Sequence, residues 1–359
     1  MDNILLSIII NNFHDFNRLK KILYNILNEV DLRNISYEII IVDVMTNNIE
    51  KIKEIIPEKY LKNIKIIHFE KDIGYPAQRN VGFTASSITS KYIIFIDNDV
   101  VLSKNVIKCL IDILNRDPKV GAVQPMLIKY PSKNKDIDCL GGFLDYLGYS
   151  YFCPIPFSIS YLKIIKKNIK MLDSFYCAGA FIVAKRCVLE ELSKNNLSKI
   201  FGPFDSDYFM CYEDVDFSWR IRLLGYKVYT VPNCFAFHER RMSKKLRNVG
   251  YKVVYYNTKN RLITLIKCYE LKNLLCFLCL LLFLEIVKSL AILFFARKLD
   301  HFLATIKSII DVFFRDLRIV YIKRHYVQQS RKVDDVTIMR YLGRPHLIHL
   351  IKNFKMHYK

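Results

Sequence analysis

Lys91-Tyr-Ile-Ile-Phe-Ile-Asp-Asn-Asp-Val-Val-Leu-Ser103 decides how the rest of this chain is read. Tyr92 to Ile96 are aromatic or β-branched and read as a strand buried on both faces. Asp97 and Asp99 follow at its C-terminal end, the edge at which open α/β sheets bind ligands. Two carboxylates one residue apart repel unless positive charge lies between them. A hard cation such as Mg²⁺ takes one or two carboxylates together with substrate phosphate oxygens. Asp-Asn-Asp is also good turn chemistry, so this stretch alone leaves a metal site and a solvated turn both open.

Upstream, apolar runs of strand length occupy Leu5 to Ile10, Glu38 to Val42 and Ile64 to Phe69. Between them, Phe16 to Val30 carries helical spacing and Ile49 to Tyr60 reads as a second helix. Gly74 to Ser87 reads as a loop entering a helix. Strand and helix alternating at this pitch predict a doubly wound α/β sheet with right-handed crossovers. Asp43 then closes the second strand at the same edge as Asp97 and Asp99, where it either caps the next segment or accepts from a nucleotide base. No Gly-x-Gly-x-x-Gly follows the first strand, which argues against a dinucleotide enzyme.

Downstream, a helix and a strand are expected between Leu110 and Val123, and a strand from Tyr176 to Ala184 with Gly179 inside it. The Gly- and aromatic-rich stretch Gly141 to Gly148, with Pro154 and Pro156 after it, reads as an acceptor-facing insertion. In Phe209-Met-Cys-Tyr-Glu-Asp-Val-Asp-Phe-Ser-Trp-Arg220, Glu213, Asp214 and Asp216 crowd the first turn of a helix that stops at Gly225. Acids there are favoured by the helix dipole; alternatively, one of them faces the crevice as a general base. A strand from Tyr226 to Val231 is expected to end at Pro232. His238, shortly after, is either structural or a third metal ligand.

The chain has 359 residues, is 52% hydrophobic and has a mean hydropathy of +0.13. Of its net charge of +21, a balance of +4 lies in residues 1–240 and +17 in residues 241–359. The first part reads as an ordinary domain and the rest as a basic segment seeking an anionic surface. Its ten cysteines show no paired framework, so a reducing compartment is expected. Met1 to Ser7 lacks a basic n-region and reads as the approach to a first strand, not a signal peptide.

Taken together, Ser7-Ile-Ile-Ile10, Glu38-Ile-Ile-Ile-Val-Asp43, Gly74, Arg79-Asn80-Val-Gly82, Ile96-Asp-Asn-Asp99 and Gly179 resemble the family 2 glycosyltransferases, inverting enzymes of the GT-A fold, in particular rhamnosyltransferase-like members. Tyr212-Glu-Asp-Val-Asp216, Trp219-Arg220, Gly225-Tyr226, Pro232 and His238 extend the likeness to about residues 4–240. His14, Val44 and Asn48 depart from the usual pattern. The resemblance implies a GT-A type, doubly wound, Rossmann-like mixed sheet. It also implies Mn²⁺ or Mg²⁺ held by Asp97, Asp99 and His238, with Asp214 as catalytic base and Glu213 in support. The implied donor-binding residues are Asn12, Asp43, Gly74, Arg79, Asn80, Asp97 and Asn98. The donor would be a UDP-, dTDP- or GDP-sugar and the acceptor a glycan, free or lipid-linked. The alternative is a catalytically inactive homologue, or a basic protein binding membranes or nucleic acid. Nucleic acid is disfavoured because the basic region carries long apolar stretches and no base-reading module. A sugar-nucleotidyltransferase would need a Gly-rich loop where Asn11-Asn-Phe-His14 stands.

Leu274 to Ala296 is a 23-residue apolar run interrupted by Glu285, Lys288 and Ser289. Its Leu, Ile, Val and Phe contribute roughly −8 kcal/mol to membrane insertion, against about +5 to +6 for the two charges. A span is therefore marginal. Basic residues flank both ends, which favours a helix lying in one leaflet. From Leu303 to Val320 an apolar stripe alternates with Lys307, Asp311, Arg315 and Arg318, the pattern of an interfacial helix; an ordinary packed helical subdomain gives the same pattern. The expected organisation is thus a catalytic domain over 1–240, a C-terminal helical membrane-associated region over 241–322 and a basic tail over 323–359. The whole would sit, peripheral or monotopic, on the anionic cytoplasmic face of a membrane.

Overall fold

The computed structural model describes residues 5–46, 49–132, 136–152, 170–193, 202–239 and 250–343. Asn48, Pro154, Pro156 and the end of the tail lie outside the described residues.

The centre is a ten-stranded mixed sheet. Its parallel half is β1 (Leu6–Phe13), β2 (Tyr37–Val44), β3 (Ile64–Phe69) and β4 (Tyr92–Asp97), ordered β4-β1-β2-β3. These strands are runs of Ile and Val because both faces are covered. Ile8, Ile10, Ile39 and Ile41 pack under α1 (Phe16–Asn28), α2 (Glu50–Glu54) and, farther along, α4 (Val106–Arg116). Ile9, Ile40 and Val42 point the other way, towards α3 (Tyr75–Ala85), α5 (Arg186–Ser193) and α6 (Glu213–Leu223). The expected α/β sheet is present, with alternate side chains serving two helical layers.

On the far side of β4 the sheet becomes mixed. After β5 (Val100–Leu102) come β6 (Val120–Lys129), β7 (Ile137–Cys139), a small hairpin of β8 (Gly142–Leu144) and β9 (Ser150–Phe152), and β10 (Leu172–Asp173). Strand β11 (Phe181–Lys185) runs antiparallel between β4 and β6, and β12 (Lys227–His238) runs parallel to β6. Several elements correct the expectations. The strand predicted from Tyr176 begins only at Phe181, leaving Gly179 in the approach to it. Pro232 does not end a strand: it falls within the register shift between Val231 and Phe235, and β12 continues to His238. A bulge is where a strand tolerates a residue with no N–H to donate. The helix expected over Ile49 to Tyr60 splits into α2 and a 3₁₀ segment at Glu58–Asn63, with Pro57 between them. Cys109 and Cys234 are disulfide-bonded, tying α4 to β12 with Cα atoms 6.0 Å apart. A separation of 125 residues leaves no spacing signature for that pair.

Residues beyond 250 form a second apolar core with the first domain. It contains α7 (Tyr251–Cys268), α8 (Leu271–Ala296), α9 (Leu299–Ile310), a π-turn at Asp311–Arg315, α10 (Leu317–Ser330) and α11 (Asp335–Met339). Helix α6 is shared: Phe217 and Ile221 face the sheet, while Val215, Trp219 and Leu223 face α7 and its neighbours. A helix covered on all sides need not be amphipathic. Trp219 meets Phe175 and Tyr269 edge-on, with ring centroids 5.2 and 5.0 Å away. The boundary expected between residues 322 and 323 falls inside α10, whose Lys323 is buried.

Candidate functional site

The parallel strands end side by side. Register pairs Asn12 with Asp43 and Asn11 with Asp97, so three neighbouring strands deliver polar groups to one edge. Asn12 is fully buried, donates to Asp43 Oδ1 at 2.6 Å and accepts from Asn98. Thr46 donates to the same Asp43 oxygen, and His68 Nδ1 lies 2.7 Å from the other. Asp43 thus stands at the predicted edge with both oxygens engaged by protein.

A cleft of about 290 Å³ opens beside this edge, and Tyr75, Arg79, Asp97, Glu213, Asp214 and His238 all line it. The sequence-predicted carboxylates from β4 and α6, more than a hundred residues apart, therefore share one cavity. Arg79 is the hinge between them. It is 1% exposed, and its guanidinium lies 3.6 Å from Asp97 Oδ1 and 3.5 Å from Glu213 Oε1 while donating to Gly179 O at 2.9 Å. A Cβ on Gly179 would lie 2.8 Å from Arg79 Nη2, so the glycine is what admits the cation. Gly74, at φ +79°, precedes α3; a Cβ there would be 2.7 Å from Phe209 O. Asn80 faces elsewhere: it donates to Phe204 O and Ser206 Oγ and accepts from Phe204 N, pinning that loop to α3.

Asp214 accepts from Gly179 N at 3.0 Å and from Val215 N at 2.9 Å. Burial, reinforced by the neighbouring Glu213, outweighs Arg79 and these amides and pushes its carboxyl up to about 7. Burial also lifts Asp97, against the pull of Arg79, to about 6. Asp216, by contrast, is fully buried with Arg220 and Lys267 at 2.8 and 2.7 Å; it is structural. The three acids of the helix thus divide between cleft and interior.

Asp99 lies 3.4 Å from His238 Nε2 and 3.3 Å from Arg18 Nη1. His238 Nδ1 is 2.8 Å from Asp138 Oδ2. Burial alone would lower the imidazole, but hydrogen bonds to Asp138 and Asp99 raise it to about 9. Among the described residues no three His, Cys, Asp or Glu side chains converge at metal-holding distance. Even so, Asp97, Asp99 and His238 suit a hard cation. Asp97 Oδ1 is buried and accepts no hydrogen bond. The Asp138–His238 pairing holds one ring nitrogen and aims the other at Asp99, as in carboxylate–histidine–metal triads.

Three contributors escaped the sequence reading. Arg18 lies on a solvent-facing helix, and Asp138 sits in a stretch with no motif, so neither carried a signal. The third is Asn260 of α7, fully buried, which donates to the carbonyls of Tyr208, Met210 and Cys211 at 2.9, 2.8 and 2.8 Å. Phe209, Cys211 and Tyr212 all have positive φ, at 58°, 64° and 66°. Strain of this kind persists only where surroundings over-determine it. Asn260 on one side and the Tyr75 N–H donated to Phe209 O on the other hold the loop that leads into Glu213 and Asp214.

Comparison with known proteins finds the same architecture at low sequence identity. The structure of GalNAc-T7 with UDP, GalNAc and Mn²⁺ superposes with a TM-score of 0.55 at 17% identity, over 74% of this chain. This chain spans only about half of that one, 48%. Residues 1–349 of TarS from S. aureus match with a TM-score of 0.52 at 14% identity, over 91% of this chain and 88% of that one. No curated protein matches the sequence. The family model described as "Glycosyl transferase family 2" matches residues 7–192, which takes in the Asp97-Asn-Asp99 edge and stops short of Glu213 and His238. With just over half of its length matched and a GT-A type α/β sheet around the cleft, this chain belongs to glycosyl transferase family 2.

Proposed function

We propose that the chain transfers a sugar from a nucleotide-sugar donor to a hydroxyl of a glycan, with inversion, using Asp214 as general base. The observation that carries this reading is the pairing in one cleft of a carboxylate at about 7 with a second, separately anchored acidic edge. A base poised near neutral pH combines availability with driving force for proton abstraction. The Gly179 amide orients Asp214 towards the cleft, and burial, with Glu213 beside it, keeps its proton affinity high. Arg79 stands between Glu213 and Asp97, so it holds positive charge where a diphosphate would sit. Asp97, Asp99 and His238 are the residues suited to hold Mn²⁺ or Mg²⁺, which when bound supplies neutralisation of charge on a leaving nucleotide diphosphate. Asn12, Asp43 and Asn98, hydrogen-bonded to one another at the neighbouring strand ends, would meet the nucleotide base, with Gly74 at the entry to α3. UDP, dTDP and GDP remain the donor classes to distinguish. A lipid-linked glycan is the acceptor class favoured by the apolar, basic C-terminal region.

The test is nucleotide release by purified protein across UDP-, GDP- and dTDP-sugars, with and without Mn²⁺ or Mg²⁺. One donor class should be cleaved in a metal-dependent way, and Asp99→Ala should abolish metal-dependent donor binding in calorimetry. An Asp99→Ala protein that binds donor and metal as the parent does would remove the metal assignment.

A further inference from the structure

Helix α8 is inside out. Its one acidic residue, Glu285, is fully buried, while Leu275, Phe283, Ile286, Leu290 and Phe294 are 37–72% exposed. In its most apolar stretch, mean hydropathy 2.5, only 22% of residues are buried. Phe283, Ile286 and Leu290 recur at three- and four-residue intervals on the side of the helix opposite the buried Leu281, Glu285 and Ser289, with Leu275 and Phe294 at its two margins. Helix α9, packed against α8, repeats the inversion. Its inward residues are His301, Ala304, Thr305 and Ser308, while Leu299, Leu303 and Ile310 face solvent, as does Phe314 of the π-turn at 84%. An uncovered apolar surface of this kind marks an interaction site.

We propose that this face is a monotopic docking surface, seated in one leaflet of an anionic bilayer with α8 lying in the membrane plane. Glu285 sets the orientation. Midway along α8, it is bonded to Arg261 of α7 at 2.6 Å and to Lys288 at 2.7 Å, and it accepts from Tyr149. Arg261 is itself buried, with its guanidinium over the Tyr149 ring. A spanning α8 would either drag this ion-paired contact into hydrocarbon or break it, leaving a buried charge unpaired. Lying in plane keeps the charges in protein and the apolar stripe in lipid. Charge selects the partner. Lys272, Arg297 and Arg318 are exposed and flank the apolar positions. Lys307 and Arg315 interrupt them but are ion-paired with Asp311 and, for Arg315, Asp316. Asp300 adds one further acid, while residues 241–359 carry a balance of +17. An anionic leaflet complements that sign, whereas a second copy of the same face would set like charge against like. The inference does not rest on sugar transfer, since vesicle binding is read without any donor.

The test uses the full-length chain and vesicles of phosphatidylcholine, alone or mixed with phosphatidylglycerol. Flotation should show binding to the mixed vesicles that persists in high salt. Phe283→Glu combined with Phe294→Glu should weaken it about tenfold or more, with an unchanged melting temperature because both side chains are exposed. Orientation is read from tryptophan at Cys276, Phe283 or Leu290, exposed positions seven residues apart and so nearly in line along the helix, and quenching by brominated lipids, since the native Trp219 is fully buried. In-plane seating predicts that all three are quenched alike by bromines near the headgroups. Deepest quenching at position 283, as for a span, overturns the orientation. Absence of vesicle binding, binding indifferent to the double substitution, or a soluble dimer that the double substitution dissociates overturns the docking surface.

Discussion

At the residue scale, the proposed reaction turns on Asp214 and the loop that presents it. Asp214→Asn keeps the shape and removes the basicity, so transfer should fall roughly 10²-fold or more while donor affinity survives. Glu213→Gln should cost less, and the opposite ranking would exchange the two roles. With Asp214 at about 7, the rate should rise as pH climbs towards neutrality and level off just above it, read as kcat against pH. The same shift has a stability sign. The folded carboxyl holds its proton to higher pH than the unfolded one, so this group's contribution declines between about pH 4 and 7 as the native state is forced to ionise. Asn260→Ala leaves three carbonyls of the positive-φ loop without their shared donor. We expect a loss of about 1–3 kcal/mol in melting experiments and a drop in kcat larger than the change in donor KM. An unchanged kcat at reduced stability would make Asn260 merely structural.

At the element scale, helix α6 belongs to both cores, and buried charges weld it to the C-terminal helices. Lys267 of α7 lies 2.7 Å from both Asp205 and Asp216, and Lys323 of α10 also binds Asp205; all four side chains are at most 2% exposed. Removing one partner from such a group leaves an uncompensated buried charge, so Lys267→Met should destabilise by about 3–5 kcal/mol, measured by urea denaturation. A chain ending at residue 240 would lose both lysines and bare Val215, Trp219 and Leu223. It should be insoluble or lack the near-ultraviolet circular dichroism of a packed core. A soluble, donor-binding fragment would show instead that the sheet half stands alone. Asp205, held well below the usual carboxylate range by Lys267 and Lys323 against the cost of burial, adds stability that is full above about pH 4 and is lost on acidification.

At the scale of the whole molecule, a polar cleft and an apolar, basic face belong to one rigidly packed body, joined through α6, α7 and the buried Arg261–Glu285 pair. Docking would then hold the cleft at a set height over the bilayer. With an acceptor carried in vesicles, Phe283→Glu should reduce kcat/KM about tenfold or more, while donor hydrolysis in solution is unchanged. Equal losses in both assays would place the effect in the fold.

By itself the sequence determined the alternation of strands and helices, the acidic edge after Tyr92–Ile96 and the apolar character of α8, because these depend on local periodicity and on which residues close a strand. Strand ends were less legible. Pro232 reads locally as a stop, yet a bulge lets β12 run on to His238. Only the tertiary structure decided that Arg79 is a buried counter-ion between Asp97 and Glu213, that Asp216 is structural while Asp214 lines the cleft, and that Cys109 meets Cys234. It also decided that Asn260, Lys267 and Lys323, from the segment read as an appendage and its tail, pack and pair around the helix and loop that present Asp214. Each of these depends on contacts between residues far apart in the chain, where burial and the need to pair buried charge override what local pattern can express.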